Sequence, residues 1–118
     1  VSEIKKQSTI NITVGLDESN VPSNLHWQSD DDPNAREPQE CKAMLLSLFD
    51  KEHLDTLKID LWTKEMEVQE MDRFFYQTLR GLADTYFKAT QNKDMANEMQ
   101  RFAHYFGEQT DIIKKEES

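Results

Sequence analysis

The chain has 118 residues, 36% of them apolar, and carries 23 Asp and Glu against 14 Lys and Arg, a net charge of −9. This is the size of one domain with a small core, which self-association would supplement. The charge repels phosphate backbones and anionic lipid, so nucleic acid and bare membrane are not expected partners.

Cys41 is the only cysteine, which excludes an internal disulfide and a cysteine-based zinc site. No run approaches the roughly 20 apolar residues of a membrane span. Val1 to Lys6 lacks the apolar stretch of a signal peptide. The expected location is the cytoplasm, without direct membrane insertion. Whether residues precede Val1 is left open.

Residues 1–7 are polar and expected to fray. Ile10, Ile12, Val14 and Leu16 then alternate with Thr9, Asn11, Thr13 and Gly15, the period of a half-buried strand. Asp17 to Pro22 is turn chemistry and Leu25–Gln28 a short returning strand, so a hairpin with a longer loop is expected. Ser29–Gln39 holds two prolines and Asp30-Asp31-Asp32 and reads as a mobile, solvated loop.

Cys41–Phe49 is apolar on both parities. Short and bounded by breakers, it fits a strand covered on both faces, although Leu and Met are weak strand formers and leave a helix open. Asp50–Asp55 turns the chain. In Thr56–Trp62, Leu57, Ile59 and Leu61 alternate with Thr56, Lys58 and Asp60, another strand. Trp62 sits off the apolar face and is expected to cover something of its own.

Past Lys64 the period changes. A helix is expected from Glu67, with Glu67 and Glu70 in the first turn where its dipole favours negative charge. At 100° per residue, Met71, Phe74, Phe75, Thr78, Leu79, Leu82 and Tyr86 form one stripe. Tyr76, Ala83 and Phe87 lie beside it, so the apolar arc is wider than one packed face needs. That surplus, with Trp62, is the expected protein-interaction surface. Gly81 costs the helix about 1 kcal/mol relative to Ala and suits close approach of another backbone.

Asn92 is the expected N-cap of a second helix. Met95, Met99, Phe102 and Phe106 make its stripe, extended to Ile113, with Tyr105 off it and Gly107 expected to weaken or end it. The tail 114–118 is polar. The order ββββαα predicts the α+β class: a four-stranded antiparallel sheet followed by two C-terminal helices packed on one face. One domain, 8–113, is expected between a flexible N-terminus (1–7) and the tail.

The residues supply no catalytic, cofactor or metal site. Asp30, Asp31 and Asp32 with Asn34 and Glu37 lack the spacing of a calcium loop. His26, His53 and His104 fall in three elements without metal-ligand spacing. Cys41 opens an apolar strand, where a small hydrophobe is the simpler role. With three glycines, no phosphate-cradling loop can be assembled. Among the acidic residues spacing selects no pair for acid–base work. A non-enzyme without cofactor is expected.

The run Leu61-Trp62-Thr63-Lys64-Glu65-Met66, with Ile59-Asp60 before it and Glu70-Met71 and Phe74 to Leu79 after it, resembles the gliding motility protein GldC family. The family's pattern there is close to RIDLWTKDM, DEM and FFHQTL. Leu16 to Pro22 is similar to its LDENNVP, Cys41 to Asp50 to its KA-M-LSVWD, and Met99 to Phe106 to its M-DF and YF segment. Tyr76 stands where the family usually has His, and Phe49 where it has Trp. The resemblance implies a small accessory component of surface gliding in Bacteroidetes-type bacteria, with no catalytic residues to carry over.

Three readings follow. The first is an adaptor contacting protein partners of the gliding machinery through the aromatic helix face, as a homo-oligomer. The second is a SecB-like secretion chaperone binding unfolded clients, on the element order alone. The third is a small-molecule binder or enzyme with a pocket between sheet and helices, using His104 or Asp84.

Overall fold

A computed structural model describes residues 3–115. Residues 1–2 of the expected frayed N-terminus and 116–118 of the polar tail lie outside the described residues. The chain forms two compact units, 1–66 and 67–118.

The first unit is all β: β1 (Ile10–Leu16), β2 (Pro22–Ser29), β3 (Gln39–Glu40), β4 (Ala43–Phe49) and β5 (Thr56–Trp62). Instead of one four-stranded sheet there are two, β1-β2-β3 and β4-β5, both antiparallel. The reason lies at Cys41–Lys42, where the chain changes partners. Cys41 N–H donates to Leu25 O (2.9 Å), continuing the β2–β3 ladder, while Lys42 O accepts from Thr63 N–H (2.8 Å) and Thr63 Oγ1 (3.2 Å), continuing the β4–β5 ladder. Lys64 N–H donates to Pro22 O (3.2 Å) at the same corner. Thr63 is buried there with its polar atoms paired, as a buried hydroxyl requires.

In β1–β2 the register sets Ile12 against Trp27 and Val14 against Leu25, with Asn11–Gln28 and Thr13–His26 on the other face. The expected alternation is therefore present, and Leu25 is the largest fully buried side chain. The connecting turn is built on one carboxylate: Asp17 Oδ1 accepts from Ser19 N–H (2.8 Å) and Val21 N–H (3.0 Å), and Lys64 Nζ donates to its Oδ2 (3.1 Å). Asn20 takes the left-handed conformation (φ 62°) that Asn tolerates.

The acidic segment is held by local bonds rather than left loose. Thr9 N–H donates to both Asp30 oxygens (3.1 and 3.2 Å), Asn34 N–H to Asp32 Oδ1 (2.9 Å), and Ser29 N–H to the carbonyl of the buried Ala35 (2.8 Å). Lys6 Nζ lies 3.1 Å from Asp31.

Of the expected strand Cys41–Phe49, Ala43–Phe49 forms β4, Cys41 and Lys42 lying in the corner before it. The expected cover on both faces is absent, Leu48 and Phe49 being 50% and 68% exposed. Apolar residues on both parities read as double burial, whereas the second half of this strand is open.

The second unit is a helical hairpin, α1 (Val68–Thr90) and α2 (Lys93–Gln109). Glu67 N–H donates to Glu70 Oε1 (3.0 Å) at the start of α1, where the acidic first turn places it. Gln91, left-handed at φ 61°, ends α1 by donating to Phe87 O (2.8 Å). Asn92 caps α2 as expected, its Oδ1 accepting from Met95 N–H (3.1 Å).

Gly107 does not end α2, which runs through it to Gln109. The chain then folds back, with Ile112 and Ile113 N–H donating to Gly107 O (2.9 and 3.1 Å). Ile113 consequently lies beyond the helix and does not extend its stripe.

Candidate interaction surface

The α1–α2 seam is built from small residues. Ala83 on α1 and Ala96, Ala103 and Gly107 on α2 are buried. A Cβ placed on Gly107 would lie 2.7 Å from Tyr76 Cε1, so the Tyr76 ring occupies the space the glycine leaves. Gln100 Nε2 donates to Asp84 Oδ1 (3.1 Å) and Arg80 O (3.4 Å) across the hairpin. These contacts fix its level.

With the seam located, the large apolar residues fall elsewhere. At 100° per residue, Phe75 and Leu82 on α1 and Met95 and Phe102 on α2 lie about a quarter-turn from the seam, on the same side of the hairpin. They are 39%, 52%, 51% and 53% exposed, with Met71, Met99 and Phe106 half-buried among them. Phe102 and Phe106 meet at a tilt, ring centroids 6.4 Å apart. The other side is polar: Arg80, Asp84, Gln100 and His104 line it. The hairpin therefore has one apolar face and one polar face.

Of the sequence-selected contact residues, Tyr76 and Ala83 lie in the seam, Ala83 fully buried. Phe87 and Trp62 are open, at 38% and 56% exposure. Trp62 pairs with Ala43 at the end of β5, on the face it shares with Lys58 and Asp60.

The first unit offers a second apolar surface that strand-by-strand reading misses. The β4–β5 register sets Met44 against Leu61, Leu46 against Ile59 and Leu48 against Leu57. Cross-strand partners share a face, so one side of this hairpin is a continuous apolar ladder. The signal was available: the even positions of β4 meet the odd positions of β5 once the Asp50–Asp55 turn sets the register.

The chemistry-bearing residues stay apart. His26 Nδ1 meets Asn24 Oδ1 (3.2 Å), His53 Nδ1 meets Asp50 Oδ2 (2.9 Å), and His104 Nε2 lies 3.5 Å from Glu108. Among the described residues no three His, Cys, Asp or Glu side chains gather as a metal set. Backbone N–H donation from Val21, then the Lys64 ammonium, then backbone N–H donation from Ser19 hold the Asp17 carboxyl below the usual range; His53 N–H and then its ring do the same for Asp50. Burial pushes the Cys41 thiol up, toward the inert form rather than the nucleophilic thiolate. Cys41 lines an open cleft of about 260 Å³ with Ser23, Glu40, Lys42 and Glu65, smaller and more polar than typical ligand pockets.

Two antiparallel sheets followed by a helical hairpin define an acidic α+β protein that exposes many large apolar side chains. The chain belongs to the family of gliding motility-associated GldC-like proteins: the family model matches residues 22–112, from the first residue of β2 to beyond α2. This is a motility-associated family and not a known enzyme family. No curated protein and no solved structure matches the chain. Among the described residues no helix is long and apolar enough to cross a membrane.

Proposed function

We propose that the chain is a non-enzymatic, cytoplasmic accessory or adaptor component of the gliding machinery, working by protein–protein contact and itself a homo-oligomer. The observation that carries this is the exposure of large apolar side chains in organised faces: the β4–β5 ladder and the apolar side of the α1–α2 hairpin. Contiguous apolar surface mostly marks contact sites, and aromatic side chains supply the hot spots of such contacts. The charge of −9 adds selectivity by repelling acidic surfaces that lack a matching apolar patch.

The ladder and Trp62 in the first unit, and separately Phe87 in the second, are the surfaces assigned to partners. A photo-crosslinking residue at Trp62 or Leu57, expressed in gliding cells, is expected to give a discrete adduct with a protein of the machinery. Leu57→Lys with Ile59→Lys is expected to abolish that adduct and to impair gliding, while circular dichroism stays unchanged. Normal gliding in cells lacking the chain would overturn the reading.

A further inference from the structure

We infer that two copies of this chain associate through the apolar faces of their α1–α2 hairpins, with Leu82 of each copy seated on Phe102 of the other. This deepens the reading above and rests on it in treating exposed apolar surface as contact surface.

Area chooses the face. From their exposures, Phe75, Leu82, Met95 and Phe102 together with their half-buried neighbours offer about 600 Å² per copy, or about 1,200 Å² in a symmetric pair, the lower end of specific interfaces. The β4–β5 ladder, with Leu48, Leu57 and Ile59 about half exposed, offers only about 400 Å² per copy, less than a stable pair needs. It suits a partner that adds contacts of its own.

Geometry chooses the pairing. The Tyr76–Gly107 and Gln100–Asp84 contacts set Leu82 and Phe102 side by side at the middle of the hairpin. A two-fold axis through that midpoint and parallel to the helices lays α1 of each copy on α2 of the other and brings each Leu82 onto the other copy's Phe102, so the interface is self-complementary, as two-fold symmetry demands. An axis across the helices would instead set like on like, and the mixing test below separates the two. The two residues are also the most exposed pair at its centre, where hot spots concentrate.

The test uses two single variants of the full chain, Leu82→Lys and Phe102→Glu, followed by light scattering after size exclusion. Wild type is expected as a dimer at about 100 µM, and each variant as a folded monomer with its dissociation constant raised at least about 100-fold. Mixing the two variants is expected to restore a dimer. In the mixed pair one contact sets the introduced lysine against the introduced glutamate, and the other remains Leu82 against Phe102.

A monomeric wild type would overturn the proposal while leaving partner crosslinking at Trp62 intact. Variants that stay dimeric, or that fail to rescue each other when mixed, would also overturn it. So would loss of helical signal in either variant, which would place these side chains in the chain's own core.

Discussion

The same substitution should stabilise the chain at one glycine and not at another. Gly81→Ala and Gly107→Ala each remove the conformational freedom that costs a helix about 1 kcal/mol relative to Ala. Neither glycine has positive φ, so Ala is acceptable to the backbone at both. At Gly81 a Cβ meets nothing within 4 Å, and the full gain of about 1 kcal/mol should appear.

At Gly107 the new carbon would lie 2.7 and 2.8 Å from two atoms of the Tyr76 ring and 3.0 Å from Ile113 Cγ1. Ring atoms so close must move, and overpacking of this kind costs about 1–3 kcal/mol. Set against the propensity gain, the net is a loss of about 0–2 kcal/mol. In thermal unfolding at dilutions that keep the chain monomeric, Gly81→Ala should raise Tm by about 4 °C and Gly107→Ala should lower it or leave it flat. Adding Tyr76→Ala to Gly107→Ala should cost less than Tyr76→Ala alone, since the clash is then gone. Equal stabilisation by both glycine replacements would refute the close small-residue seam.

Three other outcomes are expected. Leu54 is exposed and left-handed (φ 57°), so Leu54→Gly should raise stability by about 0.5–1 kcal/mol in urea titration; destabilisation would show that its side chain is held by a contact. The Asp17 carboxyl is depressed below its ordinary 3.8 by Val21, Lys64 and Ser19, so its contribution is present above that value and lost as pH falls through the folded pKa. The stability gap between wild type and Asp17→Asn should be flat from about pH 5 to 8 and close below about pH 4; a gap persisting at lower pH would count against the turn. Cys41, raised by burial, should react with iodoacetamide at pH 8 more slowly than a free peptide thiol and at the free rate in urea; equal rates when folded would show that the thiol is open.

Much of the fold is legible in the sequence because its elements are long and periodic. β1, β5 and both helices show their period directly, and Asn92 marks the start of α2. Two-residue β3 has no period to show. The division into two sheets depends on where Cys41 N–H and Lys42 O find their partners, Leu25 and Thr63, which no local pattern encodes.

The helices teach a sharper point. Hydropathy weights Met71, Phe75, Leu82, Phe102 and Phe106 most heavily and so points to them as the packed stripe. Close helix packing instead selects Ala83, Ala96, Ala103 and Gly107, since only small side chains let the axes approach. Their spacing on α2, at i, i+7 and i+11, was present but carries little hydrophobic weight. The Tyr76 and Ala83 surplus beside the main stripe marks the seam, and the stripe marks the open face.

An apolar interface on a chain of charge −9 has a consequence in salt. Two such bodies about 30 Å apart repel by about 4 kcal/mol at 10 mM ionic strength, where the screening length is about 30 Å, and by a few tenths at 0.15 M, where it is about 8 Å. The apolar contact itself changes little over this range. Self-association through Leu82 and Phe102 should therefore tighten by about 100-fold or more between 10 mM and 0.15 M salt, then level off. Sedimentation or light scattering across that series reads it directly. An interface made of ion pairs would respond in the opposite sense, and dissociation on adding salt would show that charge rather than the apolar hairpin face holds the copies together.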